Sequence, residues 1–160
     1  MKYTIKYKIN QYKIYDEADR PVGIVRRPLL TGNRLQVLDL EGSTKYFVIR
    51  AQGKILIKAI GKGEQECQLE YSNETKKGIN MRPPMAEGTV LDTDFGKIVI
   101  HQERKRVFFV QLNGKEIGKM TRMQCFVKQA VLSDEIPREY CGLLFAVTFL
   151  MLHEDDIELV

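Results

Sequence analysis

The chain has 160 residues, 44% hydrophobic and 29% charged, which suits one globular domain (residues 1–160) with a real core and excludes a disordered chain. Three scattered cysteines, Cys67, Cys125 and Cys141, form no C-x-x-C pair and support neither a disulfide framework nor a zinc site. The net charge of +4 is uneven: residues 1–132 hold 24 Lys and Arg against 14 Asp and Glu, whereas residues 133–160 hold one Arg against seven acids.

The first residues, "MKYTIKYKIN", show no apolar run followed by small residues, so no secretory signal is expected and a cytoplasmic setting follows. From Tyr3 to Val131 the dominant period is two. "TIKYKIN", "YKIY", "LQVLDL", "KYFVIR", "KILIKAI", "CQLEY", "KIVIHQ" and "VFFVQL" are short, rich in β-branched and aromatic residues, and several alternate apolar with polar side chains. Turn signals separate them: "DEADRP" (16–21), "TGN" (31–33), "DLEG" (39–42), "AQG" (51–53) and "LNG" (112–114). Asn113-Gly114 is the strongest hairpin signal, since both residues tolerate the positive φ of a type I′ turn. The spacing predicts eleven or twelve antiparallel strands in a meander or barrel.

One layout occurs twice. "KIYDEADRPVGIVRR" (13–27) and "FVQLNGKEIGKMTR" (109–122) each run strand, polar turn, apolar–Gly–apolar core, then basic residues. A glycine within a strand marks a bend, a bulge or a close backbone approach, so Gly23 and Gly118 suggest a curved, internally duplicated sheet. Such a sheet tends to close, because closure removes exposed edges. "SNETKKGINMRPPMAEG" (72–88) reads as a long loop.

The C-terminal part differs. "SDEIPREY" predicts a helix start near residue 136, with Ser133 or Asp134 as cap and Pro137 in the first turn. "YCGLLFAVTFLML" (140–152) then presents apolar residues on every side of the helix, which is predicted over 136–153. Thirteen residues span roughly 20 Å, against the roughly 30 Å of a bilayer core, so no transmembrane segment is expected. A helix apolar all round and too short to span lipid belongs inside a protein. A closed sheet of about twelve strands has an interior too wide for its own side chains to fill. The two parts complete each other: a mainly β fold, a closed antiparallel barrel around a buried C-terminal helix.

That combination resembles the tubby-like barrel superfamily, and within it the LURP-one-related and phospholipid scramblase-like branch. The likeness rests on "YKIYDEADRPVGIVRRP" (12–28), "RLQVLDLEG" (34–42), "QLNGKEIGKM" (111–120) and "IPREYCGLLFAVTFLML" (136–152), across nearly the whole chain. It implies the barrel, and it brings lipid binding into view, since tubby relatives bind phosphoinositide head groups through Lys and Arg. Departures are visible too. The proline-rich N-terminal region, acylated cysteine cluster and acidic calcium segment of scramblase-type relatives have no counterpart, and "DTDFG" (92–96) is only a fragment of an EF-hand loop.

No catalytic motif is visible: G-x-S-x-G, H-E-x-x-H and the P-loop are absent, and "GKG" (61–63) reads as a turn. His101 and His153 have no partner at metal-ligand spacing, apart from the local "HEDD" (153–156), which reads as solvated acids. No cofactor or metal is expected. The candidate anion- or lipid-binding residues are Arg26, Arg27, Lys54, Lys58, Arg104, Lys105 and Arg106, which would recognise an anionic phospholipid or membrane surface. Nucleic acid is not expected, because stacking aromatics do not interleave with the basic runs. Two other readings stay open: a scaffold for a protein partner, and a small-ligand protein or enzyme with the 72–88 loop as lid.

Overall fold

A computed structural model of the chain describes residues 1–28, 33–71, 86–103 and 107–152. Among them are twelve strands: β1 (Lys2–Lys8), β2 (Gln11–Tyr15), β3 (Pro21–Arg26), β4 (Arg34–Leu38), β5 (Thr44–Ala51) and β6 (Lys54–Ala59), then β7 (Gly63–Tyr71), β8 (Ala86–Thr93), β9 (Gly96–Glu103), β10 (Val107–Leu112), β11 (Lys115–Thr121) and β12 (Val127–Leu132). Each pairs antiparallel with its sequence neighbour, and β1 pairs with β12 to close the barrel. The closing register sets Lys2 opposite Val131 and Lys6 opposite Val127.

Alternation along the strands sends Ile5, Ile14, Val25, Leu35, Ile57, Ile100 and Phe108 inward. They surround helix α1 (Tyr140–Leu152), in which every residue from Cys141 to Leu152 is buried. Burying each large side chain of this helix contributes roughly 1.5–3 kcal/mol, so the plug is a main source of stability. Its one polar side chain inside the barrel is satisfied: the Thr148 hydroxyl donates to the Phe145 carbonyl at 2.8 Å and lies 3.3 Å from the Met120 sulfur. Gly142 lets the helix approach the wall, since a Cβ there would stand 3.0 Å from Val37 Cγ1. No helix among the described residues is long and apolar enough to cross a membrane.

The helix starts later than the sequence predicts. Pro137 disfavours the α conformation at Ile136, so residues 133–139 form turns instead of a first helical turn. Ser133 caps one of these, with its Oγ accepting from the Glu135 N–H at 3.3 Å and its carbonyl from the Ile136 N–H at 3.1 Å. Two other boundaries shift. Residues 86–88, expected at the end of a loop, begin β8, and residues 72–85 lie outside the described residues, as does part of "TGN". "TIKYKIN" is not one strand: β1 ends at Lys8, and Ile9 and Asn10 form the turn, with φ of 44° and 63°.

The barrel has two distinct ends. The upper end carries the β1–β2, β5–β6 and β11–β12 turns. The lower end carries the β2–β3, β4–β5, β6–β7, β8–β9 and β10–β11 turns and the segment leading into α1. Ring contacts orient the helix: Tyr140 meets Phe95 of the lower β8–β9 turn at 4.8 Å, and Phe149 meets Tyr12 at the upper end at 5.3 Å. At the lower end Asp16 fastens a turn to the helix lead-in. Its Oδ1 accepts the N–H groups of Ala18 and Arg20, and its Oδ2 lies 3.3 Å from Arg20 Nε and 3.7 Å from an Arg138 nitrogen.

The duplicated glycines sit beside bulges. Between β2 and β3 the register slips after Ile14↔Gly23, with Val22 as the additional residue. Between β10 and β11 it slips after Val110↔Gly118, with Ile117 as the additional residue. The two glycines differ in surroundings. A Cβ at Gly118 would collide with the Val131 carbonyl oxygen, whereas at Gly23 its nearest neighbour is Ile14 Cδ1 at 3.6 Å. Gly118→Ala is therefore expected to destabilise the fold by about 1–3 kcal/mol, as overpacking does, and Gly23→Ala to be close to neutral. Urea denaturation of both variants checks this; equal effects would remove the distinction between a bend and a close approach.

Candidate functional site

Helix α1 reaches the upper mouth at Leu152, and this C-terminal end carries the negative pole of the helix dipole. Cations gather there. The Arg27 guanidinium lies 5.4 Å from the Phe149 ring centroid, and the Lys128 ammonium lies 5.8 Å from that of Tyr12. Lys128 points inward, is only 7% exposed, and donates to the Cys125 carbonyl at 2.6 Å. Burial pushes its pKa down from the ordinary lysine value. Tyr12 is the hub between these groups, in ring contact with Tyr7, Phe145 and Phe149 at 4.9–5.3 Å. Burial pushes its hydroxyl up, against the pull of Arg27. Farther round the mouth, buried Arg50 donates to the Tyr71 hydroxyl at 2.9 Å.

Outside the mouth the charge distribution is one-sided. Strands β3, β2, β1, β12 and β11 are contiguous in the barrel. Along them, segments 6–13, 22–27 and 119–129 hold eight Lys and Arg and no Asp or Glu. Lys8, Arg26 and Arg122 are exposed at this end, and Lys8 and Arg26 flank Gln11 in one row across β1, β2 and β3. Nothing of opposite sign on these segments offsets the field.

The residues singled out in the sequence divide between this arc and elsewhere. Arg26 points outward within it, and Arg27 folds over the helix end. Lys54 and Lys58 lie on β6, beside the acids of β7: Lys54 Nζ is 3.1 Å from Glu66, and Lys58 stands opposite Glu64. Their charge is locally balanced. Arg104, Lys105 and Arg106 lie outside the described residues. Sequence reading followed visible cationic runs and missed Lys8, Arg122 and Lys128, which become neighbours only through the β1–β12 closure. The signal available was the absence of acids from 6–13 and 119–129, not the density of cations.

The same end carries exposed apolar side chains. Ile9 is 80% exposed and Phe126 is 87% exposed, and both sit in turns of adjacent hairpins. Ile9 also adopts the left-handed conformation, which costs a residue with a Cβ about 1–2 kcal/mol and is rare for a β-branched one. Tyr7 and Phe126 line one small cavity of about 190 Å³, floored by Tyr12 and Lys128.

The lower end has a different character. A cleft of about 790 Å³ opens between the helix start and the wall, lined by Val37, Leu38, Tyr46, Ile60, Phe95 and Tyr140. Ion pairs Lys45–Asp39 and Lys62–Asp94, both at 3.9 Å, stand around it. Burial, followed by the neighbouring Tyr140, pushes the Tyr46 hydroxyl up to about 12, so it holds its proton at neutral pH. The ends of β7 and β8 at Tyr71 and Ala86 emerge at the opposite end of the barrel.

No known family profile matches the chain, and no curated protein does. A crystal structure of a protein from Arabidopsis thaliana aligns with 98% of this chain and 90% of its own, at 13% identity and a TM-score of 0.47.

The three thiols separate by surroundings. Cys125 is exposed, whereas burial pushes Cys67 up to about 11 and Cys141 up to about 12. Iodoacetamide at neutral pH is expected to modify Cys125 alone in the folded protein and all three cysteines after denaturation, as mass spectrometry would show. The buried thiols ionise more readily once unfolded. The stability they contribute is thus full below about pH 9 and is lost as pH rises towards 11 and 12, each adding at most about 1.4 kcal/mol per pH unit. Denaturant midpoints should fall across that window, and less steeply in Cys141→Ala.

Proposed function

We propose that this chain is a non-enzymatic binding module, tubby-like in build, that recognises anionic lipid head groups on a membrane surface with its upper end. The observation that carries this reading is the acid-free arc formed at the upper end by segments 22–27, 6–13 and 119–129 of the contiguous strands β3, β2, β1, β12 and β11, with Lys8, Arg26 and Arg122 outside the mouth and Arg27 and Lys128 within it. Cations near an anionic bilayer contribute about 1 kcal/mol each, and several on one face suffice for reversible attachment. The likeness to tubby relatives, which bind phosphoinositides through Lys and Arg, points the same way. The lower cleft favours a second reading, a small-ligand site, which is compatible with attachment by the other end.

Co-sedimentation with neutral and anionic vesicles, at low and high salt, tests the main reading. The protein is expected to bind anionic vesicles only and to release at high salt. The Lys8→Glu/Arg122→Glu pair should weaken binding by more than about tenfold. Lys54→Glu/Lys58→Glu, in the charge-balanced sector, should have a much smaller effect. Equal losses from both pairs would sink the arc as the recognition surface.

A further inference from the structure

We infer that the upper end inserts two apolar side chains, Ile9 and Phe126, into the boundary between head groups and acyl chains of an anionic bilayer; this rests on the membrane-surface reading above. Lys6 opposite Val127 places Phe126 level with Tyr7, so the β1–β2 tip and the residue entering β12 project side by side. Tyr7 and Val127, 42% and 41% exposed, extend the apolar surface behind the tips. Lys8 and Arg122 stand close to them in sequence, and Lys128 lies just inside. This is the composition of an interfacial anchor: exposed apolar groups with cations beside them, Lys8 next to Ile9 at the β1–β2 tip and Arg122 just past the end of β11.

Ile9 adds an independent observation. A two-residue turn with positive φ at both positions prefers Asn, Asp or Gly, and Asn10 meets that preference while Ile9 does not. An exposed, β-branched residue held there serves no packing purpose in the barrel. Backbone strain of this kind is retained where a contact outside the fold uses it. A bilayer suits the surface better than a protein partner does. The two tips belong to separate hairpins, and the exposed cations beside them, Lys8, Arg26 and Arg122, stand on segments that hold no acid, as an anionic surface requires.

The chain contains no tryptophan, so Phe126→Trp places a single reporter at the tip. With vesicles containing phosphatidylserine, its emission should shift to shorter wavelength and be quenched by lipids brominated on the acyl chains. Leu40→Trp, at the lower end, should do neither. Ile9→Asn relieves the backbone conformation, so the variant should melt no lower than the parent, yet bind anionic vesicles about tenfold more weakly. If Phe126→Trp sediments with these vesicles while its indole emission stays unshifted and unquenched, insertion is overturned and head-group recognition stands, with Phe126 then free to serve a protein contact. A protein that sediments with no vesicle would overturn both.

Discussion

The contact on which the rest of this molecule depends is that between one uncharged helix and the inside of a closed sheet. Twelve strands joined edge to edge have no free backbone edge, but they enclose more space than their own inward side chains fill. Helix α1 supplies the missing volume with a surface that is apolar in every direction, because every direction faces the wall. Neither part is viable alone. The helix would aggregate in water, and the barrel would surround a void.

Filling a barrel with a helix also makes its two ends unequal. A helix is polar along its axis, so one mouth receives the negative end of its dipole and the other the positive end. At the upper mouth Arg27 and Lys128 approach the aromatic cluster around the helix end, and their presence there follows from simple electrostatics. At the lower mouth the chain must turn from β12 into the helix through Pro137, and the turns of residues 133–139 leave the cleft beside Tyr46 and Tyr140. The functional asymmetry proposed here therefore grows out of the packing solution.

Much of this was legible from residue patterns. The run Tyr140–Leu152 announced its own burial, Asn113-Gly114 its turn, and Gly23 and Gly118 the bulges that curve the sheet, because each signal is local. What was illegible was non-local or unmarked. The β1–β12 pairing joins segments more than a hundred residues apart, so the cations of 6–13 and 119–129 look unrelated along the chain. Lys54 and Lys58 looked equivalent to Arg26, because the acids of β7 that offset them are brought alongside only by the register. The β1–β2 turn carried only Asn10 as a turn signal, and Ile9 beside it disguised it as strand. The candidates at 104–106 lie outside the described residues.

These unmarked features share a direction. An isoleucine sits in a left-handed turn, a phenylalanine stands almost fully in water, and a lysine points into the barrel, held by the Cys125 carbonyl. All three occur within one arc at one end. Other departures lie elsewhere among the described residues, with Leu40 and Ile60 about half exposed and Gln102 buried, while the β10–β11 turn keeps Asn113 and Gly114 and Asp16 caps the β2–β3 turn. Natural sequences that agree across levels tend to break the pattern at functional sites, and a well-packed core is what makes such breaks tolerable. The helix-filled barrel provides that reserve, and Ile9 and Phe126 draw on it where they meet the cationic arc.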